Sequence, residues 1–135
     1  MGLVNIPIFA ALTDKMRWHQ TRQALLAENV ANAATPGFRG RDLEAFDFEQ
    51  QLRAVGGGAL ATVVTNPGHI VAAGSNADGF KSRTVNGFEV TPTGNAVTLE
   101  DEMMKVAANQ MDYQTVTALY TRSLRLLKTA LGRNG

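Results

Sequence analysis

Apolar residues recur at alternating steps of three and four along both ends of the chain. From the N-terminal side the row reads Phe9, Leu12, Met16, His19, Gln23, Leu26, Val30 and Ala33. This is a seven-residue repeat with two polar interruptions, and it predicts an amphipathic helix over residues 5–34. Pro7 suits the first helical turn, where a missing N–H costs nothing, and Asn5 is placed to cap it. Thr35-Pro36-Gly37 ends the pattern, because proline removes a donor and glycine favours a turn.

The second row is longer: Leu99, Met103, Val106, Gln110, Tyr113, Thr117, Tyr120, Leu124, Leu127 and Leu131. It predicts a helix over residues 98–132. Thr98 is a good N-cap, and Glu100, Asp101 and Glu102 suit the positive end of the helix dipole. Arg122, Arg125 and Lys128 lie toward the negative end, and Gly132 is a natural stop. At about 1.5 Å per residue the two helices would be roughly 40 and roughly 50 Å long.

The fold class expected is mainly α. The long N- and C-terminal helices form an antiparallel coiled-coil-like pair, with a small irregular or β-hairpin insert between them. A flush register would set Phe9 against Leu131, Met16 against Leu124, His19 beside Tyr120 and Leu26 against Tyr113. Gln23 and Thr117 would then share one polar layer, the kind that fixes register. Leu25, Val116, Leu119 and Leu126 widen the rows beyond what one partner helix covers. Two readings follow: a self-contained helical hairpin, or a pair whose remaining surface binds neighbouring copies. On the second reading the assembly interface comprises Phe9, Leu12, Met16, Leu26, Val30, Leu99, Met103, Val106, Tyr113, Tyr120, Leu124, Leu127 and Leu131.

Residues 35–97 break the helical pattern. Phe38–Glu44 reads as extended, and Ala45–Ala54 as one short helix carrying Phe46, Phe48 and Leu52. Gly56-Gly57-Gly58 is a flexible joint, and residues 59–80 read as loop. Asn86-Gly87 between Arg83-Thr84-Val85 and Phe88-Glu89-Val90 predicts a hairpin near 83–91, and Pro92-Thr93-Gly94-Asn95 a further turn.

The length of 135 residues fits one domain, 1–135. A net charge of +1 with 19% charged residues argues against a nucleic-acid surface. The absence of cysteine excludes disulfides and thiolate metal sites. The stretch Ile6–Leu12, broken by Pro7 and followed by Asp14, Lys15 and Arg17, is not a cleavable signal, and no apolar run is long enough to span a membrane.

No catalytic, cofactor-binding or metal site is expected. His19 sits in a helical row and His69 in the turn Asn66-Pro67-Gly68-His69-Ile70. Two isolated histidines do not make a ligand cluster. Asp42, Glu44, Asp47 and Glu49 lack the spacing and central glycine of a calcium loop. The triple glycine lacks the lysine and hydroxyl of a phosphate loop, and Ser75, Ser82 and Ser123 have no elbow motif around them. Lys15, Arg17, Arg22, Arg39 and Arg41 read as a scattered, solvated basic face.

One motif is specific. Asn29-Val30-Ala31-Asn32 followed by Thr35-Pro36-Gly37-Phe38 resembles the N-terminal signature of the flagellar rod and hook proteins. In physical terms, small alanines allow close helix contact, asparagines bond in a crowded helix end, and Pro-Gly turns the chain out. Arg39-Gly40-Arg41-Asp42 with Phe46-Asp47-Phe48 is similar to the segment that follows in proximal rod proteins. Thr65 to Ile70, Gly94 to Met103, Asn109 to Gln114 and Leu126 to Ala130 extend the resemblance to the flagellar basal body rod family.

The resemblance implies a non-enzymatic subunit of the proximal rod, polymerising helically through its terminal helices and transmitting torque across the periplasmic space. It implies passage through the flagellar type III export apparatus without a cleaved signal. Implied neighbours are further copies, the rod proteins FlgC and FlgF, the adaptor FliE and the MS-ring protein FliF. The rival readings are FlgC itself, the sister proximal subunit, a cytoplasmic helical adaptor or chaperone, and a small hydrolase. Pro67-Gly68-His69 and the tail around Lys128 are the features that separate the chain from FlgC.

Overall fold

A computed structural model describes residues 6–56, 80–85 and 90–132. In chain order these form α1 (Pro7–Ala31), β1 (Arg41–Leu43), α2 (Phe48–Gly56), β2 (Ser82–Thr84) and α3 (Leu99–Gly132). The chain is mainly helical, with long terminal helices and a small antiparallel pair of strands between them.

Helix α1 begins as proline dictates. Ile6 is extended (φ −74°, ψ 126°), Pro7 is the first helical residue, and no side chain caps the end. The expected cap, Asn5, lies outside the described residues. The helix stops about a turn short of residue 34. From Asn32 the backbone changes to successive tight turns, with Ala33 N–H on the Val30 carbonyl (3.2 Å) and Thr35 N–H on that of Asn32 (3.0 Å). Helix α3 starts where the acidic triplet predicts. The Thr98 carbonyl accepts the Glu102 N–H at 3.1 Å, which places Thr98 at the cap.

Strand β1 realises the expected extended segment, pairing Arg41 with Thr84, Asp42 with Arg83 and Leu43 with Ser82. The predicted 83–91 hairpin passes through residues 86–89, outside the described residues, as do the predicted loop 59–79 and His69. Helix α2 starts at Phe48, three residues later than Ala45, because the Asp47 carboxylate accepts the Gln50 N–H (2.9 Å) and fixes the N-terminus there. Its Gln51 reaches Asp14, and Lys15 lies 5.9 Å over the Phe48 ring, so α2 packs beside the first half of α1.

Helices α1 and α3 run antiparallel, but the flush register is wrong. Phe9 meets Tyr120 edge-to-face at 5.3 Å, not Leu131, and Met16 Sδ meets the Thr117 hydroxyl at 3.7 Å, not Leu124. His19 and Gln23 both meet Asn109, not Tyr120 and Thr117. The slip is seven to eleven residues, judged by Thr117 in place of Leu124 and Tyr120 in place of Leu131. The side that α3 turns inward also differs from the expected row. The inward positions are Glu102, Asn109 and Val116, two of them polar, so a row chosen for apolarity lies one residue away from the true seam. As a result α3 continues from about Arg122 to Gly132 past the first turn of α1.

The buried apolar residues are Phe9, Ala11, Leu12, Trp18, Leu26, Leu43, Ala96 and Val116. Trp18 ties the insert down. Its indole N–H donates to the Glu44 carbonyl (3.0 Å), and its ring begins a chain to Phe46 and Phe80, each step 6.3 Å between centroids.

Candidate assembly surface

The motif at the end of α1 is a corner in which three asparagines replace a hydrophobic contact. Asn29, 2% exposed, accepts the Arg41 N–H (2.9 Å) and donates to the Arg41 carbonyl (2.7 Å) and the Glu102 carboxylate (2.9 Å). One side chain thus joins α1, β1 and α3. Glu102 is itself buried and takes its second partner from Lys105 at 2.8 Å. Asn32 donates back to the Glu28 carbonyl (2.8 Å) and accepts from the Thr35 hydroxyl (3.1 Å).

Asn95, the third, arrives from the other side of the corner. Its amide donates to the carbonyls of Asn32 (3.0 Å) and Thr35 (2.6 Å), and its oxygen accepts the Val97 N–H (2.8 Å). Backbone bonds from Gly37 N–H to the Thr93 carbonyl (3.0 Å) and from Ala96 N–H to the Phe38 carbonyl (3.1 Å) close the turn. Gly37 has φ +72°, a conformation that favours glycine, and Gly94 (φ +81°) packs against it. Thr35, Pro36 and Gly37 are exposed, and Phe38 is half-buried. Ala31 is exposed as well, so within this chain its small size serves no helix contact.

A second polar layer lies one-third of the way along α3. The Asn109 amide donates to the His19 carbonyl (2.9 Å) and to Gln23 Oε1 (3.0 Å). Its oxygen therefore faces His19 Nδ1, 2.7 Å away, and Nδ1 must be the protonated ring nitrogen. Among the described residues, His19 Nε2 is the buried side-chain atom with no partner. Beside this layer Arg22 forms a two-pronged pair with Asp42 (2.9 and 3.0 Å) and lies 5.5 Å over the Trp18 ring. Hydrophobic periodicity did not single out Asn109, Asn95 or Trp18. The spacing of seven from Glu102 through Asn109 to Val116 was the available signal.

The residues read as an assembly interface divide into three groups. Phe9, Leu12 and Leu26 are buried within the chain. Met16, Val30, Val106, Tyr113, Tyr120, Leu124 and Leu127 are half-buried, with one side toward the pair and the rest open. Leu99, Met103 and Leu131 are exposed. So are Met104, Met111, Leu119 and Leu126, between 49% and 71% of their surface remaining accessible. With 3.6 residues per turn, Met104 and Met111 fall on the side of α3 opposite Glu102, Asn109 and Val116, and Leu119 and Leu126 fall on the flank next to them. A second apolar stripe therefore runs along the outer side of α3. Large exposed apolar patches of this kind mark interaction sites. Among the described residues no group of three acidic or histidine side chains is placed to hold a metal, and no helix is long and apolar enough to cross a membrane.

Long antiparallel helices paired through a polar seam, with an apolar stripe left open, define the class: a mainly helical structural subunit. No protein-family model matches the chain. Curated relatives are similar to it. A flagellar basal body rod protein FlgB from Cereibacter sphaeroides is 41% identical over 115 residues, covering 83% of this chain and 84% of the relative. One from Agrobacterium fabrum is 26% identical over 130 residues, 95% of each chain. A third, from Salmonella typhimurium, is 29% identical over 120 residues, 84% of this chain and 85% of the relative. The chain belongs to the FlgB family of flagellar basal body rod proteins. That membership decides between this subunit and its sister FlgC.

Proposed function

We propose that this chain is a building block of the proximal rod, added helically to the basal body through α1 and α3. The observation that carries the reading is the outer stripe of α3, which none of the described residues covers. Most helical stability in proteins comes from packing an apolar face, so these helices reach full order against neighbours. Many interlocked seams then resist twisting, as a torque-transmitting shaft requires. The neighbours on this reading are further copies, FlgC, FlgF, FliE and FliF. Delivery is through the flagellar type III export apparatus to a rod that crosses the periplasmic space. The role is structural, with no catalytic step.

The test replaces Leu124, half-buried at the start of the projecting end of α3, with aspartate. In cells lacking the native chain, Leu124→Asp is expected to be exported yet absent from purified basal bodies, leaving the cells non-motile. Normal motility with this variant overturns the reading.

A further inference from the structure

The sulfur of this chain is all thioether: there are five methionines and no cysteine. Three of them, Met103, Met104 and Met111, lie close together in the first half of α3 and are 60%, 71% and 68% exposed. Methionine ordinarily belongs to protein interiors, so such a group at the surface is unusual. At 100° per residue Met104 and Met111 fall opposite Glu102, Asn109 and Val116, and Met103 stands on an adjoining flank. Met16 is the contrast. It is half-buried on α1, and its Sδ lies 3.7 Å from the Thr117 hydroxyl inside the helix pair. Met1 lies outside the described residues.

We propose that Met103, Met104 and Met111 form a modification site for hydroperoxides, and that a chain carrying their sulfoxides stays folded but is refused by the rod. The inference rests on the rod reading and adds a condition under which assembly stops. The chemistry needs only access. The sulfur lone pair attacks one oxygen of the peroxide, the O–O bond breaks and an S–O bond forms. With hydrogen peroxide, the departing hydroxide takes the proton left on the transferred oxygen and leaves as water. Sulfur is oxidised and the peroxide is reduced, in one oxygen transfer. Unlike a thiol, a thioether has no proton to lose, so no neighbouring base is required and exposure ranks the sites. The product is a polar acceptor in place of an apolar group. The α1–α3 pair is untouched, because its inward positions on α3 are Glu102, Asn109 and Val116. On the outer stripe each sulfoxide must be desolvated where a neighbouring subunit closes over it, and a buried acceptor without a donor is costly. Neighbours shield an assembled chain, so the mark falls on chains awaiting assembly. Thiol-dependent reductases return the sulfoxides to thioethers, which makes the block reversible.

The purified full chain is treated with hydrogen peroxide and followed by peptide mass spectrometry. Met103, Met104 and Met111 are expected to gain one oxygen each roughly tenfold faster than Met16, with helix content and urea midpoint unchanged. Methionine sulfoxide reductases with dithiothreitol are expected to remove those oxygens. Equal rates at Met16 and at the three, a lowered midpoint, or oxygen that the reductases leave in place overturns the inference. The consequence for assembly is read with Met103→Gln, Met104→Gln and Met111→Gln together, which put a polar acceptor where each thioether stood. In cells lacking the native chain this variant is expected to be exported and to fall roughly tenfold in purified basal bodies. Incorporation equal to that of the parent chain overturns the inference. So does a variant whose urea midpoint drops, since the outer side would then be holding the chain together. Failure here with basal bodies still lacking Leu124→Asp removes this site and leaves the rod reading standing.

Discussion

His19 Nδ1 donates to the Asn109 side-chain oxygen across 2.7 Å, and the same Asn109 donates back to the His19 carbonyl. This reciprocal pair, with Gln23 as its third member, sets the register of α1 on α3. Purely apolar helix faces slide past each other at little cost, whereas a buried amide has one satisfied position.

A double-mutant cycle checks this layer. Asn109→Ala is expected to lower the unfolding free energy by about 1–3 kcal/mol, because it leaves buried donors and acceptors short of partners. Gln23 and Asn109 should couple by roughly 0.5–1.5 kcal/mol, and Gln23 and Thr117 by about zero. Thr117 already spends its hydroxyl proton on the Tyr113 carbonyl, 2.9 Å away. Replacing His19 and Asn109 together by leucine should be close to neutral in stability. Urea unfolding of the purified chain measures all of these, and coupling between Gln23 and Thr117 would restore the flush register.

The Asn29 corner makes a second prediction. Asn29→Asp turns a donor toward Glu102 into a second carboxylate and removes the bond to the Arg41 carbonyl. The expected loss is about 2–4 kcal/mol at neutral pH, since a buried carboxylate loses its partner and meets a like charge. Unfolding midpoints of the variant and the parent chain decide it. A change within experimental error would mean that the corner opens without cost.

Two glycines in the motif region should respond differently to alanine. At Gly37 an added Cβ meets nothing within 4 Å, so the cost is backbone strain at φ +72°, about 1–2 kcal/mol. At Gly40 the backbone imposes no positive φ, but the new carbon lies 3.3 Å from Asn29 Nδ2. Gly40→Ala therefore pushes on the asparagine that ties three elements together, with an expected cost of about 1–3 kcal/mol. The Asn29 amide proton signals should shift in Gly40→Ala and stay put in Gly37→Ala. The reverse pattern would show that Asn29 does not depend on this close approach.

The two long helices were legible from their ends inward. Pro7, the Thr35-Pro36-Gly37 stop and the acid-rich start at Thr98 each carry a local physical signal that later packing did not override. The motif also carried its own structural logic, since Asn29 and Asn32 bond as a crowded helix end requires. The register was not legible. It depends on Asn109 and Glu102, polar residues at inward positions, and an apolar row cannot reveal a seam held by hydrogen bonds. The pairing of β1 with β2 was hidden for another reason. Arg41 and Thr84 are 43 positions apart, and no turn chemistry announces so distant a partner. The outer stripe was anticipated in part through Leu119 and Leu126, but Met104 and Met111 joined it only once the inward side of α3 was fixed.

Amide hydrogen exchange, measured on the free chain and on the same chain within purified basal bodies, tests the central claim most directly. In the free chain residues 122–132 should exchange within seconds, because α3 there runs past α1 with Leu126 and Leu131 exposed and Leu124 and Leu127 only half-buried. Inside the basal body the same residues should be protected for hours, as neighbours close over them. Protection in the free chain, or rapid exchange in the basal body, would contradict an account in which these helices are completed by other subunits.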